Sequence, residues 1–129
     1  MTKRRFIRLN GRVTDITSDL TFDLQLAGLI EGKETKAWLA CLRHLDRREG
    51  KSGEAHKWME KSILGKKVVI IPDPSQPLKL GRQCCINGHV FIEKTGVYVN
   101  KVLVTEGLVA VDDEMRKSPF LVQLRKAIH

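Results

Sequence analysis

The 129-residue chain has no run near the ~18–20 consecutive apolar residues of a membrane-spanning helix, which excludes such a helix. Cysteine is scarce: Cys41, Cys84 and Cys85, an odd number with two adjacent. Neighbouring cysteines rarely pair with each other. A secreted disulfide scaffold is therefore not expected, and a reducing intracellular compartment is. Aromatic residues make up only 5% of the chain, which leaves few side chains for a stacking surface. No internal repeat and no low-complexity tract is present. Acid is missing from residues 1–12, which carry Lys3, Arg4, Arg5, Arg8 and Arg12 unopposed. Such an Arg-rich, acid-poor start is compatible with a mitochondrial presequence. A basic first strand is the simpler expectation, and mitochondrion and cytoplasm both stay open.

What is present describes one globular domain over residues 1–129. Hydrophobic residues are 42% and charged residues 29%, enough for a core without metal or disulfide staples. Lys and Arg number 23 against 15 Asp and Glu, a net charge of +8. An excess of this size favours an anionic partner such as nucleic acid or an acidic protein surface.

Phe6 to Ile16 reads as an extended segment, broken at Asn10-Gly11. Thr21 to Ile30 alternates, with Phe22, Leu24 and Leu26 on one face, the period of a half-buried strand. The spacing of Trp38, Cys41, Leu42 and Leu45 predicts a helix. A second helix is expected over Glu54 to Leu64, with Ser52 as cap and Gly65 as its left-handed end. Lys66 to Ile71 reads as a buried strand, and Asp73 to Pro77 as a turn. Gln83 to Ile92 reads as strand interrupted at Asn87-Gly88. Asn100 should cap a helix that Gly107 ends, and Ser118-Pro119 should start the last one, with Phe120, Leu121, Leu124 and Ile128 on its apolar face.

This order and several strings resemble the staphylococcal-nuclease-like family. Val99-Asn100 through Val111 resembles the family's "VN-x-x-LV-x-x-GLA-x-V" helix. Leu26-Ala27-Gly28-Leu29-Ile30 is similar to the "RLAGIDAPE" end of its third strand. Gly53-Glu54-Ala55, followed by Leu64-Gly65-Lys66-Lys67-Val68, resembles "G-x-EA…LL-x-GK-x-V". The resemblance implies an α+β, mainly β fold: a five-stranded OB-type barrel with a helix after strand 3 and two C-terminal helices. Residues 31–50 fit worst and stand as a divergent segment or insertion.

The family's chemistry uses Ca²⁺-binding carboxylates, a glutamate that activates water, and two arginines on the phosphate. Matched without gaps, the resemblance puts Asp19 alone in the "DGDT" turn. It puts Asp23 at the first arginine, and Leu29 or Gly28 at the metal aspartate. Glu31 or Glu34 stands for the glutamate, without the preceding proline. The second arginine falls on Arg82 counting forward from Lys66-Lys67, or on Asn87 counting back from Asn100. Losing one preorganised charge stabiliser typically costs about 2.7–4 kcal/mol of barrier. A barrel without Ca²⁺-dependent cleavage is therefore expected, and no cofactor. Should cleavage survive, Arg82, Glu31, Glu34 and Asp19 would carry it with Ca²⁺.

Binding is the alternative use of the barrel. Lys3, Arg4, Arg5, Arg8 and Arg12 could track phosphates. Arg43, Arg47 and Arg48 form a second basic cluster, Lys66 and Lys67 a third, and Arg82 joins them. Trp38 and Tyr98 are candidate stacking residues, with Phe91. The expected partners are RNA, another single-stranded nucleic acid, or protein subunits of a ribonucleoprotein or other large complex. A scaffold that binds only protein is the remaining alternative. Zinc is not expected: Cys41 and His44 are spaced C-x₂-H and Cys84, Cys85 and His89 add possible ligands, but no C-x₂-C pair supports them, and Cys84 and Cys85 would face opposite sides of a strand.

Overall fold

The computed structural model describes residues 8–27, 34–45, 53–75, 85–115 and 117–128. Five strands close into a barrel: β1 (Leu9–Ile16), β2 (Thr21–Leu26), β3 (Glu34–Leu39), β5 (Lys67–Pro72) and β6 (Cys85–Ile92). Their order around the barrel is β1-β2-β3-β6-β5. All pairs are antiparallel except β3 with β6. A closed five-stranded mixed barrel of this kind is consistent with an OB-type fold. Two-residue strands β4 (Leu42–Arg43) and β7 (Ala110–Val111) pair separately. Helix α1 (Glu54–Ser62) follows β4, while α2 (Val99–Thr105) and α3 (Leu121–Arg125) lie at the C-terminal end. Among the described residues no helix is long and apolar enough to cross a membrane.

The alternation in β2 is realised: Phe22, Leu24 and Leu26 are buried. In β1 Gly11 and Val13 are buried two apart, but Val13 and Ile16 are three apart. The register shifts between Val13 and Asp15, and the extra residue lets both point inward. Ala37, Leu39, Val68, Ile70, Ile86 and Val90 complete the barrel interior. Ala55, Met59 and Ile63 of the α1 region, and Leu103, Leu121 and Leu124 from the C-terminal helices, join the same core.

Several expectations are corrected. The helix expected from Trp38 to Leu45 is strand β3, a turn and β4. Ala37 and Leu39 are buried and Trp38 exposed, a period of two, and Cys41 turns the chain with φ 64°. The third barrel strand therefore lies within residues 31–50, and Leu26-Ala27 ends the second.

Asn10-Gly11 and Asn87-Gly88 do not break their strands. A Cβ on Gly11 would lie 2.8 Å from Leu24 Cδ1, and one on Gly88 2.5 Å from Ile70 Cγ1. Both glycines serve close approach inside the barrel, not a turn. Asn100 lies inside α2 and is fully buried, so it is not that helix's cap. Its amide donates to Ala40 O and Gly88 O and its carbonyl accepts from Val90 N–H, tying α2 to β6 and the β3 end. Ile128 is 56% exposed and lies off the apolar face assigned to it. The cap position expected at Ser52 lies outside the described residues.

Candidate functional site

Strand pairing decides which of the predicted cations meet. Arg12 of β1 stands opposite Lys67 of β5. The Arg12 guanidinium donates to Gly65 O at 3.1 Å, which holds it beside Lys66. Lys94, in the turn after β6, completes a groove of 590 Å³ whose lining also includes Glu93, Thr95 and Ile92. The four cations are exposed, and none is ion-paired among the described residues. Three of them, Arg12, Lys66 and Lys67, were legible as basic residues. Lys94 was missed, because only the β5–β6 pairing brings it alongside.

The other predicted residues are dispersed. Arg8 is exposed just before β1. Arg43 is exposed on β4 and lines a separate groove of 360 Å³ with Val104, Val109 and Ile128. Trp38 lies on the outer face of β3, 42% exposed, between Thr21 of β2 and Asn87 of β6. Asp23 pairs with Lys36 across β2 and β3. Glu34 opens β3 opposite Gln25. Asp19 accepts the backbone N–H groups of Gly53 and His56 at 3.2 and 2.9 Å, so its carboxylate caps the start of α1. Lys3, Arg4, Arg5, Gly28, Leu29, Glu31, Arg47, Arg48, Arg82 and Cys84 lie outside the described residues.

Tyr98 is buried and unavailable as a stacking surface. Its ring stacks on Phe91 at 4.6 Å, and its hydroxyl lies 2.5 Å from His89 Nδ1. That contact opens a polar cluster absent from the sequence reading. His89 Nε2 lies 2.7 Å from Asp73 Oδ2. The same oxygen accepts from Ser118 Oγ at 2.5 Å and from Cys41 Sγ at 3.5 Å. Asp73 Oδ1 accepts both N–H and Oγ–H of Ser75, at 2.9 and 2.6 Å. His89 stacks on Phe120 at 3.8 Å. Cys41, Asp73, His89, Tyr98 and Ser118 are all buried, and no buried side-chain nitrogen or oxygen among the described residues lacks a partner.

Burial works against the Asp73 charge, but the bonds from His89, Ser118 and Ser75 outweigh it and hold its carboxyl well below the usual range. An ionised carboxylate only accepts, which places a proton on His89 Nε2, while Nδ1 and the Tyr98 hydroxyl share the bond on the other side of the ring. Burial, with the Asp73 charge adding to it, pushes the Cys41 thiol up to about 12. Burial, then the Cys41 and Asp73 charges, also raises the Tyr98 phenol. A thiol so shifted and so buried is a poor nucleophile. Sequence reasoning missed it because its members come from four separate stretches: Asp73 read as a turn residue, Ser118 as a cap, and Cys41 and His89 as possible zinc ligands beside His44, Cys84 and Cys85. No protein-family model and no curated protein matches the sequence.

Proposed function

We propose that the chain is a non-catalytic barrel of the staphylococcal-nuclease-like kind that binds single-stranded nucleic acid, RNA in particular, along the Arg12, Lys66, Lys67 and Lys94 groove. The convergence of those four unpaired cations on one groove carries the proposal. Phosphates spaced along a strand meet such a row with little demand on base sequence. Trp38, exposed on the outer face, offers a large aromatic surface for a base.

The strand register supports the loss of chemistry. Leu39-Ala40-Cys41 ends the third barrel strand and matches the family's "LAG" string in that place. Trp38 then stands at the first arginine, and Arg43 at the metal aspartate. Asn87, directly across from Trp38 on β6, stands at the second arginine by the count from Asn100. Two guanidiniums are replaced by an indole and an amide, and a metal carboxylate by a cation that would repel Ca²⁺. Asp19 spends both oxygens on the α1 backbone.

Fluorescence anisotropy with a single-stranded RNA across a salt titration tests the proposal. A single strand loses about 0.7 of a log unit in affinity per log unit of salt for each phosphate contacted. Four contacts predict a slope near −3, by the same estimate. The quadruple variant Arg12→Ala, Lys66→Ala, Lys67→Ala, Lys94→Ala should flatten that slope and weaken binding at least tenfold. Salt-insensitive binding, or none, would leave the protein-scaffold alternative in its place. RNA or DNA cleavage that depends on Ca²⁺ would restore the nuclease alternative.

A further inference from the structure

Cys41 follows β3, Asp73 follows β5, and His89 lies within β6, yet their side chains meet. One ligating atom from each, Sγ, a carboxylate oxygen and an imidazole nitrogen, lies within 4.8 Å of the other two. All three side chains are fully or almost fully buried. We propose that Cys41, Asp73 and His89 form a structural site for one Zn²⁺-type ion, with Ser118 Oγ facing its fourth position.

Three observations converge on this assignment. The donor set is a sulfur, a nitrogen and an oxygen, the mixture that a borderline-soft ion such as Zn²⁺ takes and that Ca²⁺ or Mg²⁺ does not. The far side of two ligands is already held. Ser75 occupies Asp73 Oδ1 through two bonds, and Tyr98 holds His89 Nδ1, which leaves Oδ2 and Nε2 aimed at the centre. Outer partners of this type orient metal ligands. Charge balance is the third. Once the ion displaces the thiol proton, thiolate and carboxylate sum to −2, which one divalent ion neutralises inside a site that no lysine or arginine among the described residues enters.

Binding exchanges hydrogen bonds for ligand bonds. The Cys41 thiol loses its proton to solvent. The His89 proton moves from Nε2 to Nδ1, where the Tyr98 oxygen accepts it. Ligand atoms on a tetrahedral Zn²⁺ stand roughly 3.3 Å apart or more, by the usual bond lengths. The 2.7 Å between Nε2 and Oδ2, and the 2.5 Å between Ser118 Oγ and Oδ2, must therefore open by small side-chain rotations. The ion would join the ends of β3 and β5 to β6 and to the segment leading into α3. It stands apart from the nucleic-acid groove and does not depend on that proposal.

Co²⁺ substitution tests the site in the full chain under reducing, chelator-free conditions. One equivalent of Co²⁺ should produce visible ligand-field bands and a near-ultraviolet thiolate-to-cobalt charge-transfer band, and one equivalent of Zn²⁺ should bleach both. The double variant Cys84→Ser, Cys85→Ser keeps Cys41 as its sole thiol and should retain the band. In Cys41→Ser, with circular dichroism as the check on folding, the band should vanish. A folded wild-type chain with no charge-transfer band in excess Co²⁺ overturns the proposal. So does a band that disappears in the double variant, which needs no folded Cys41 variant to be read.

Discussion

The basic groove and the buried cluster both gather polar side chains from several strands, but they obey opposite rules. Around the groove, Arg12, Lys66, Lys67 and Lys94 stay exposed to water, and the one side-chain bond that the described residues give them, Arg12 to Gly65 O, is itself exposed. Around Asp73, five donors share one carboxylate away from water, and each depends on the rest. Surface charge is a reservoir for association that folding barely registers. Buried polarity is a commitment the fold must satisfy completely.

Substitutions should separate the two regions sharply. The largest effect is expected for Asp73→Ala, which strands His89, Ser75, Ser118 and Cys41 together. Breaking a buried pair of this kind typically costs about 3–5 kcal/mol, to be read from urea denaturation. Asn100→Ala should follow, at roughly 2–3 kcal/mol by the same assay. It leaves Val90 N–H, Ala40 O and Gly88 O without their partner.

Stability should also depend on pH at both ends of the range, in chelator-treated protein. Asp73 stays ionised in the folded chain below the point where the unfolded chain takes up its proton. Its contribution is therefore present above the ordinary carboxylate range and lost as pH falls through and below it. Cys41 behaves oppositely. The unfolded thiol ionises near 9.0 while the folded one holds its proton to about 12, so stability should decline as pH rises between those values. Asp73→Asn should flatten the acid limb in thermal melts. A flat acid limb in the wild type would contradict the arrangement.

Smaller effects mark the surface. Asp19→Ala removes a cap that reaches α1 from the β1–β2 turn and should cost about 1 kcal/mol. The quadruple groove variant should melt within about 0.5 kcal/mol of the wild type, since exposed, unpaired cations contribute little to folding. A large loss there would erase the contrast between the two regions.

Legibility in the sequence followed the same division. Local patterns gave β2, β5, α1 and the helix after Ser118, because burial period and glycine punctuation act within a few residues. The barrel itself came from motif resemblance, anchored on Asn100. Its register did not, since Leu26-Ala27 and Leu39-Ala40 look alike until the pairing of Thr21 with Trp38 is known. Trp38, Cys41, Leu42 and Leu45 mimicked a helix because a turn at Cys41 places Cys41 and Leu42 both in the core. Arg12 and Lys67 were visible as charges but not as neighbours. Nothing local marks Asp73 or Ser118 as partners, for 45 residues separate them.

Among the described residues, strand β6 is the only element that touches both β3 and β5 along their lengths. On a ribosome, everything up to Pro72 can emerge and pair as a four-stranded curl, β5-β1-β2-β3, with two raw edges. Such a nascent chain exposes hydrogen-bonding backbone to any neighbour until Cys85–Ile92 slots between them. Synthesis and closure are thereby locked in sequence: a message truncated anywhere before that keystone yields a sticky ribbon, and the cell meets a finished barrel only after the last staves are delivered.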